Sequence, residues 1–185
     1  MSRQTVVRGP VFLCALLLIL MGPALSFAGP RDLRYGFVEG GWLREDLEVS
    51  DSENGWFGGA SFGLRSFHFF GEYRDPGDFE SWEAGAGWHG LFGPKFDLVL
   101  EAAFVDTDLF DDGYRASGGF RWMLLENLEV NAYYHHLDVG DFENDAVSAG
   151  ANWNFAGRMA LGGEWTFGDE ADTGRVFVRF YFQKD

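Results

Sequence analysis

Residues 96–105 read Phe96-Asp97-Leu98-Val99-Leu100-Glu101-Ala102-Ala103-Phe104-Val105. Successive side chains of an extended strand point to opposite sides. Phe96, Leu98, Leu100, Ala102 and Phe104 therefore share one face, and Asp97, Val99, Glu101, Ala103 and Val105 the other. The same alternation returns further along, where Val147, Ala149, Ala151, Trp153 and Phe155 oppose Ser148, Gly150, Asn152 and Asn154. It closes the chain, with Val176, Val178, Phe180 and Phe182 set against Arg175, Phe177, Arg179 and Tyr181. Working outward, this period divides the chain into ten strands: 34–43, 55–64, 66–74, 80–90, 95–105, 113–124, 127–136, 146–155, 158–167 and 174–183. Most have the about 9–11 residues that a tilted membrane-crossing strand needs. In the weakly patterned first strand Glu39 is placed inward, because a charge facing lipid is costly. The predicted fold is an all-β, antiparallel up-and-down transmembrane barrel of ten strands, with eight as the alternative if the first hairpin does not form.

The connections alternate as well. Four are tight, at Arg65-Ser66, Phe92-Gly93-Pro94, Glu126-Asn127 and Ala156-Gly157, and five are longer and acidic, at 44–54, 75–79, 106–112, 137–145 and 168–173. Short turns on one side and longer loops on the other describe an outer-membrane barrel with both termini in the periplasm. The seven tryptophans fall on the apolar face near strand ends. Trp42, Trp56, Trp82 and Trp165 adjoin the acidic segments, and Trp88, Trp122 and Trp153 adjoin the tight turns. An indole is apolar with one N–H that wants a polar partner, so two such groups predict belts at the two membrane–water interfaces.

Residues 1–28 read as a cleaved signal peptide, leaving 29–185 as the barrel domain. Arg3 and Arg8 form a basic start, Val11 to Leu20 an apolar core, and Ser26-Phe27-Ala28 a small-x-small cleavage site. The single cysteine, Cys14, would leave with it, which excludes a disulfide or thiolate metal site in the mature chain. No other stretch is apolar for the roughly 18 residues a membrane helix needs. The formal net charge of −15 becomes about −17 once Arg3 and Arg8 are removed, which argues against nucleic-acid binding.

Alternation alone leaves open which face points inward. A soluble barrel would bury its apolar face. Here the polar face is rich in glycine (Gly59, Gly63, Gly85, Gly87, Gly119, Gly150, Gly162) and holds no lysine except Lys95. It carries charges of both signs: Glu39, Glu72, Glu83, Glu101, Glu129 and Glu164 against Arg115, Arg121, Arg175 and Arg179. Small residues opposite long charged ones suit a confined lumen. Buried charges must be paired, so these residues are expected to form a network that either plugs the lumen or walls a narrow channel.

With this pattern in hand, the chain resembles the small outer-membrane β-barrel proteins of Gram-negative bacteria, the OmpA/OmpX-like class, over essentially its whole mature length. It is most similar to a subgroup opening with Y-x-x-V-E-G-G-aromatic, here Tyr35-Gly36-Phe37-Val38-Glu39-Gly40-Gly41-Trp42, and carrying F-x-x-F-G-x-Y, here Phe67 to Tyr73. The resemblance implies that Val176, Val178, Phe180 and Phe182 form the final strand recognised by the outer-membrane assembly machinery. The usual last residue of that signal is aromatic, whereas this chain continues with Gln183-Lys184-Asp185.

No catalytic constellation is legible. A lipid A deacylase would show His-x-Ser on one strand face, but His68, His89, His135 and His136 are followed two residues on by Phe70, Leu91, Leu137 and Asp138. Ser117 and Ser148 point inward with no sequence feature pairing either to a histidine. His135 and His136 are neighbours and face opposite ways, so they form no two-histidine metal site. His136 with Asp138 is the one omptin-like candidate, without the long loops that would shape a cleft. Neither a cofactor nor a metal site is expected. Most of the 29 acidic residues lie in the longer segments, where they form a solvated rim or hold divalent cations against lipopolysaccharide phosphates. The expected protein is a monomer contacting outer-membrane lipid and lipopolysaccharide, with a structural or surface-interaction role. A narrow passive channel is the alternative, and an outer-membrane enzyme the third reading.

Overall fold

The structure, a computed structural model, describes residues 33–47, 52–77, 79–109 and 111–182. The signal-peptide assignment and the Gln183-Lys184-Asp185 end lie outside the described residues. Ten antiparallel strands run in chain order: β1 (Phe37–Leu47), β2 (Glu53–Leu64), β3 (Phe67–Asp75), β4 (Ser81–Leu91), β5 (Phe96–Thr107), β6 (Gly113–Leu125), β7 (Leu128–Val139), β8 (Phe142–Asn154), β9 (Met159–Gly168) and β10 (Ala171–Tyr181). Each strand pairs with its neighbours in sequence, and β1 pairs with β10, so the sheet closes on itself. Closure removes the unpaired edges that an open sheet would expose.

The closing seam runs in continuous register from Phe37 opposite Tyr181 to Leu47 opposite Ala171, and it sets Glu39 beside Arg179. Gly41 permits the approach of β1 to β10, since a Cβ there would lie 2.7 Å from Phe177 Cα and closer still to the Val176 carbonyl oxygen. The alternation is expressed as a two-faced sheet. In β5, Asp97 and Val99 are buried while Leu98 and Phe104 are exposed. In β10, Phe177, Arg179 and Tyr181 are buried while Val176, Val178, Phe180 and Phe182 are exposed. A barrel with aromatic and aliphatic side chains outside and charges inside is built to be surrounded by lipid. The soluble-barrel arrangement would be its inverse.

Two expectations need correction. The first strand begins at Phe37, not at residue 34, and Leu33 to Gly36 turn into the barrel instead of continuing the ladder. Of the five segments read as longer acidic loops, 137–145 and 168–173 are largely strand, whereas among the described residues 75–79 and 106–112 contribute only Asp75, Asp106 and Thr107 to strands. Only Gly140 and Asp141 separate β7 from β8, and only Asp169 and Glu170 separate β9 from β10. Gly140 has φ +57°, a left-handed conformation open to glycine at little steric cost, and this lets two residues complete the turn. Acidic residues on these overruns pair across strands, with Asp138 opposite Glu143 and His136 opposite Asp145. Their polarity resembled that of a loop because these strand ends project beyond the apolar band.

Candidate functional site

The site is the lumen, lined by one residue in two from every strand. At mid-height Arg115 of β6 forks onto Glu83 of β4, at 2.9 Å from Nε and 2.6 Å from Nη2, and lies 3.7 Å from Glu101 of β5. Arg175 of β10 joins Glu164 of β9 at 2.7 Å and crosses the lumen to Glu72 of β3 at 3.0 Å. Arg74 donates to Glu72 at 2.6 Å. Nearer the tight turns, Arg121 of β6 forks onto Glu129 of β7 at 2.8 and 2.9 Å, and Arg179 meets Glu39 at 2.7 Å. All ten charged residues placed in the lumen from sequence sit in these pairs. Glycines make the room: Gly59 lies in register between Glu39 and Glu72, and Gly87 lies under the His68 ring.

Bidentate Arg–carboxylate pairs are among the stronger hydrogen-bonded ion pairs, and they fix both partners in orientation. Burial makes each pair unforgiving, since removing one partner strands the other charge in a low-dielectric interior. The network therefore rigidifies the lumen more than it stabilises the fold.

The turn end is filled by the chain itself. Leu33 and Tyr35 are buried in a cluster with Val99 and Met123, against Tyr133. The Tyr35 hydroxyl donates to Asp97 Oδ2 at 2.9 Å, and its ring stacks on His89 at 3.7 Å between centroids. The Arg121 guanidinium lies 4.3 Å from the same ring and donates from Nη2 to the Arg34 carbonyl at 3.1 Å. Arg34 in turn donates to the Gly157 carbonyl at 2.6 Å, and the Phe182 N–H to the Gly36 carbonyl at 3.2 Å. The segment 33–36 is thereby fixed to β4, β5, β6 and the β8–β9 turn.

Above this plug lies a cavity of about 290 Å³, running from Tyr35 and Arg121 up to Phe79, Leu109 and Phe142 at the loop end. A separate recess at the turn end is lined by Arg34, Lys95, Met123, Glu126, Asn127, Glu129, Asn154, Gly157 and Tyr181, none of which borders the upper cavity. Arg121 faces the upper cavity while its partner Glu129 faces the recess, so this ion pair lies in the partition.

Ser117 and Ser148, for which no sequence feature indicated a histidine partner, both hydrogen-bond His135: Ser117 Oγ at 2.8 Å from Nδ1 and Ser148 Oγ at 2.9 Å from Nε2. Both ring nitrogens are thus occupied by hydroxyls, and Arg115 Nη1 stands 3.3 Å from Nδ1. With Nδ1 facing a hydroxyl and a guanidinium, the group lacks the carboxylate that orients a general base. It acts as a polar tie between β6, β7 and β8. His136 faces outward, 2.8 Å from Asp145 Oδ1. Among the described residues no three acidic, histidine or cysteine side chains are grouped to hold a metal ion.

Sequence reading missed Arg74, His68, His89, Asp97 and Tyr35 as members of the site. His68 pairs with Glu101 at 3.0 Å. It has the same parity as Glu72 on β3, as Arg74 does, so alternation would have found both. Nothing in the alternation marks Tyr35, because its position depends on where β1 starts.

On the outer face, Trp42 and Trp56 are register partners, as are Tyr73 and Trp82. Trp56 and Tyr73 ring centroids lie 5.2 Å apart. Trp82 Nε1 donates to Asp106 at 2.9 Å, leaving its ring 5.5 Å from Phe104. Trp165 folds over Gly174 on the same side of the band. Toward the turns, Trp122 and Trp153 are exposed, and the half-buried Trp88 lies over Gly90. Tyr73, Phe104 and Tyr114 extend the upper row beyond the tryptophans.

No family model matches the chain, and no curated protein matches it. Among solved structures, a KdgM porin is similar with a TM-score of 0.54 at 11% identity, covering 80% of this chain and 99% of that one. A KdgM porin in complex with disordered oligogalacturonate is similar with a TM-score of 0.51 at 10% identity, covering 80% and 99%. At such identity the likeness concerns the fold. The chain has a porin-like, outer-membrane type of β-barrel.

Proposed function

We propose that this chain is a monomeric outer-membrane barrel that is closed at rest. It serves the envelope structurally or as a surface for interaction, not as an open pore or an enzyme. The observation that carries this reading is the partition at the turn end. Segment 33–36, Arg121 and Glu129 separate two cavities that share no wall residue. The acidic ends face outward and both termini lie in the periplasm, the tryptophans mark the two interfaces, and the final strand carries the assembly signal. The outward apolar face, the short turns at one end and the resemblance to the OmpA/OmpX-like class support this placement. Outer-membrane lipid and lipopolysaccharide are the expected partners.

The upper cavity favours one second reading, a narrow channel gated by withdrawal of segment 33–36. Ion efflux from proteoliposomes separates the two. A closed barrel retains a trapped small ion, and Arg121→Ala releases it. Release by the unmodified protein at the rate of the variant would favour the channel.

A further inference from the structure

The upper cavity changes character toward its mouth. Leu109, Val139 and Phe142 line the mouth beside Thr107, Asn144 and Thr173, one carboxylate, Glu45, stands among them, and Leu43, Val105 and Leu137 lie just below, in register with Arg175, Glu83 and Arg115. Glu45 is only 7% exposed although it sits near the loop end of β1. The guanidinium that acts on it is Arg74, whose Nε is hydrogen-bonded to Glu72 at 2.6 Å. Among the described residues no ion pair joins Arg74 to Glu45. The cavity wall carries six glutamates (39, 45, 72, 83, 101 and 164) against five arginines (74, 115, 121, 175 and 179). Arg121 is committed to Glu129 outside the cavity. Every other glutamate of the wall has an arginine or histidine within 4.0 Å. Glu45 does not.

A buried carboxylate without a close partner is costly, and a cation delivered to it offsets that cost. The mouth lies at the end of the barrel where acidic residues concentrate, which raises the local concentration of cations. The apolar side chains among its lining favour a cation that carries an apolar body over a small hydrated ion, which gains nothing from them.

We infer that the mouth binds an organic ammonium ion with a compact apolar body, the charge against Glu45 and the body against Leu43, Val105 and Leu137. The whole cavity, about 290 Å³ from the loop end down to Tyr35 and Arg121, has room for one such molecule. The site rests on the lumen being closed below, since an open pore would drain it.

Titration calorimetry of folded protein in detergent with 2-phenylethylammonium tests this, with 2-phenylethanol and 3-phenylpropionate as neutral and anionic counterparts. The expected result is saturable one-to-one binding of the ammonium ion alone, weakened tenfold or more by Glu45→Gln and unchanged by Glu126→Gln at the opposite end. Heat-shifted gel mobility establishes that each variant is folded. No saturable binding, equal binding of the alcohol, or unchanged binding by a folded Glu45→Gln variant would overturn the inference. Ion retention in proteoliposomes is read on the same preparation. Failure of binding in a sealed barrel therefore counts against the site alone, and a leaking barrel against the closed reading.

Discussion

Arg121 ties the ion-pair network to the segment that fills the turn end. It forks onto Glu129, covers the Tyr35 ring and holds the Arg34 carbonyl. Truncation removes all three contacts and leaves Glu129 buried without its cation. Arg121→Met is expected to destabilise the barrel by about 3–5 kcal/mol, read by urea unfolding in lipid vesicles. Replacing both members, Arg121→Met with Glu129→Met, should recover most of that loss, because an apolar pair leaves no stranded charge. If the double variant is no more stable than the single one, the pair matters through Tyr35 and Arg34 and not through its own charges. Arg121 and Glu129 were legible as lumen residues from strand parity. Their partnership was not, since parity gives a face and not the depth at which two side chains meet. The same gap hid the tie of His135 to Ser117 and Ser148, which lie 18 and 13 residues away in the chain.

At the scale of elements, ten strands and four tight turns were legible, because clean alternation is a local signal and two of the turns carry a glycine, Gly93 and Gly157, at positive φ. The β7–β8 and β9–β10 connections were overestimated because strand ends beyond the apolar band are as polar as loops. The start of β1 was misjudged because Leu33 to Gly36 continue the sequence pattern while turning inward. The β1–β10 seam joins the two ends of the chain and has no local signature beyond Gly41. Gly41→Ala should push β1 from β10 and destabilise the folded barrel by about 1–3 kcal/mol, with loss of the heat-modifiable gel band at a lower temperature. An unchanged transition would mean that the seam tolerates a methyl group. Tyr35→Ala tests the plug. It removes the stack on His89 and the bond to Asp97, and should increase hydrogen exchange at Val99 and Met123 with little change at Val176.

For the whole molecule, the apolar band and the asymmetry between its ends make a claim about orientation. Cysteine labelling suits this test, as Cys14 is the only native cysteine and lies in the segment expected to be removed. Asp141→Cys, in the β7–β8 turn, should react with a membrane-impermeant maleimide on intact cells, and Asn127→Cys, in the β6–β7 turn, only after the envelope is opened. The reverse pattern would invert the barrel. The central claim is that the lumen is sealed by the chain's own first described residues and the Arg121–Glu129 pair. Single-channel recording in planar bilayers addresses it most directly, comparing the unmodified protein with a variant lacking residues 33–36. The account predicts no steady conductance from the unmodified protein and discrete openings from the variant. Equal, sustained openings from both would contradict it.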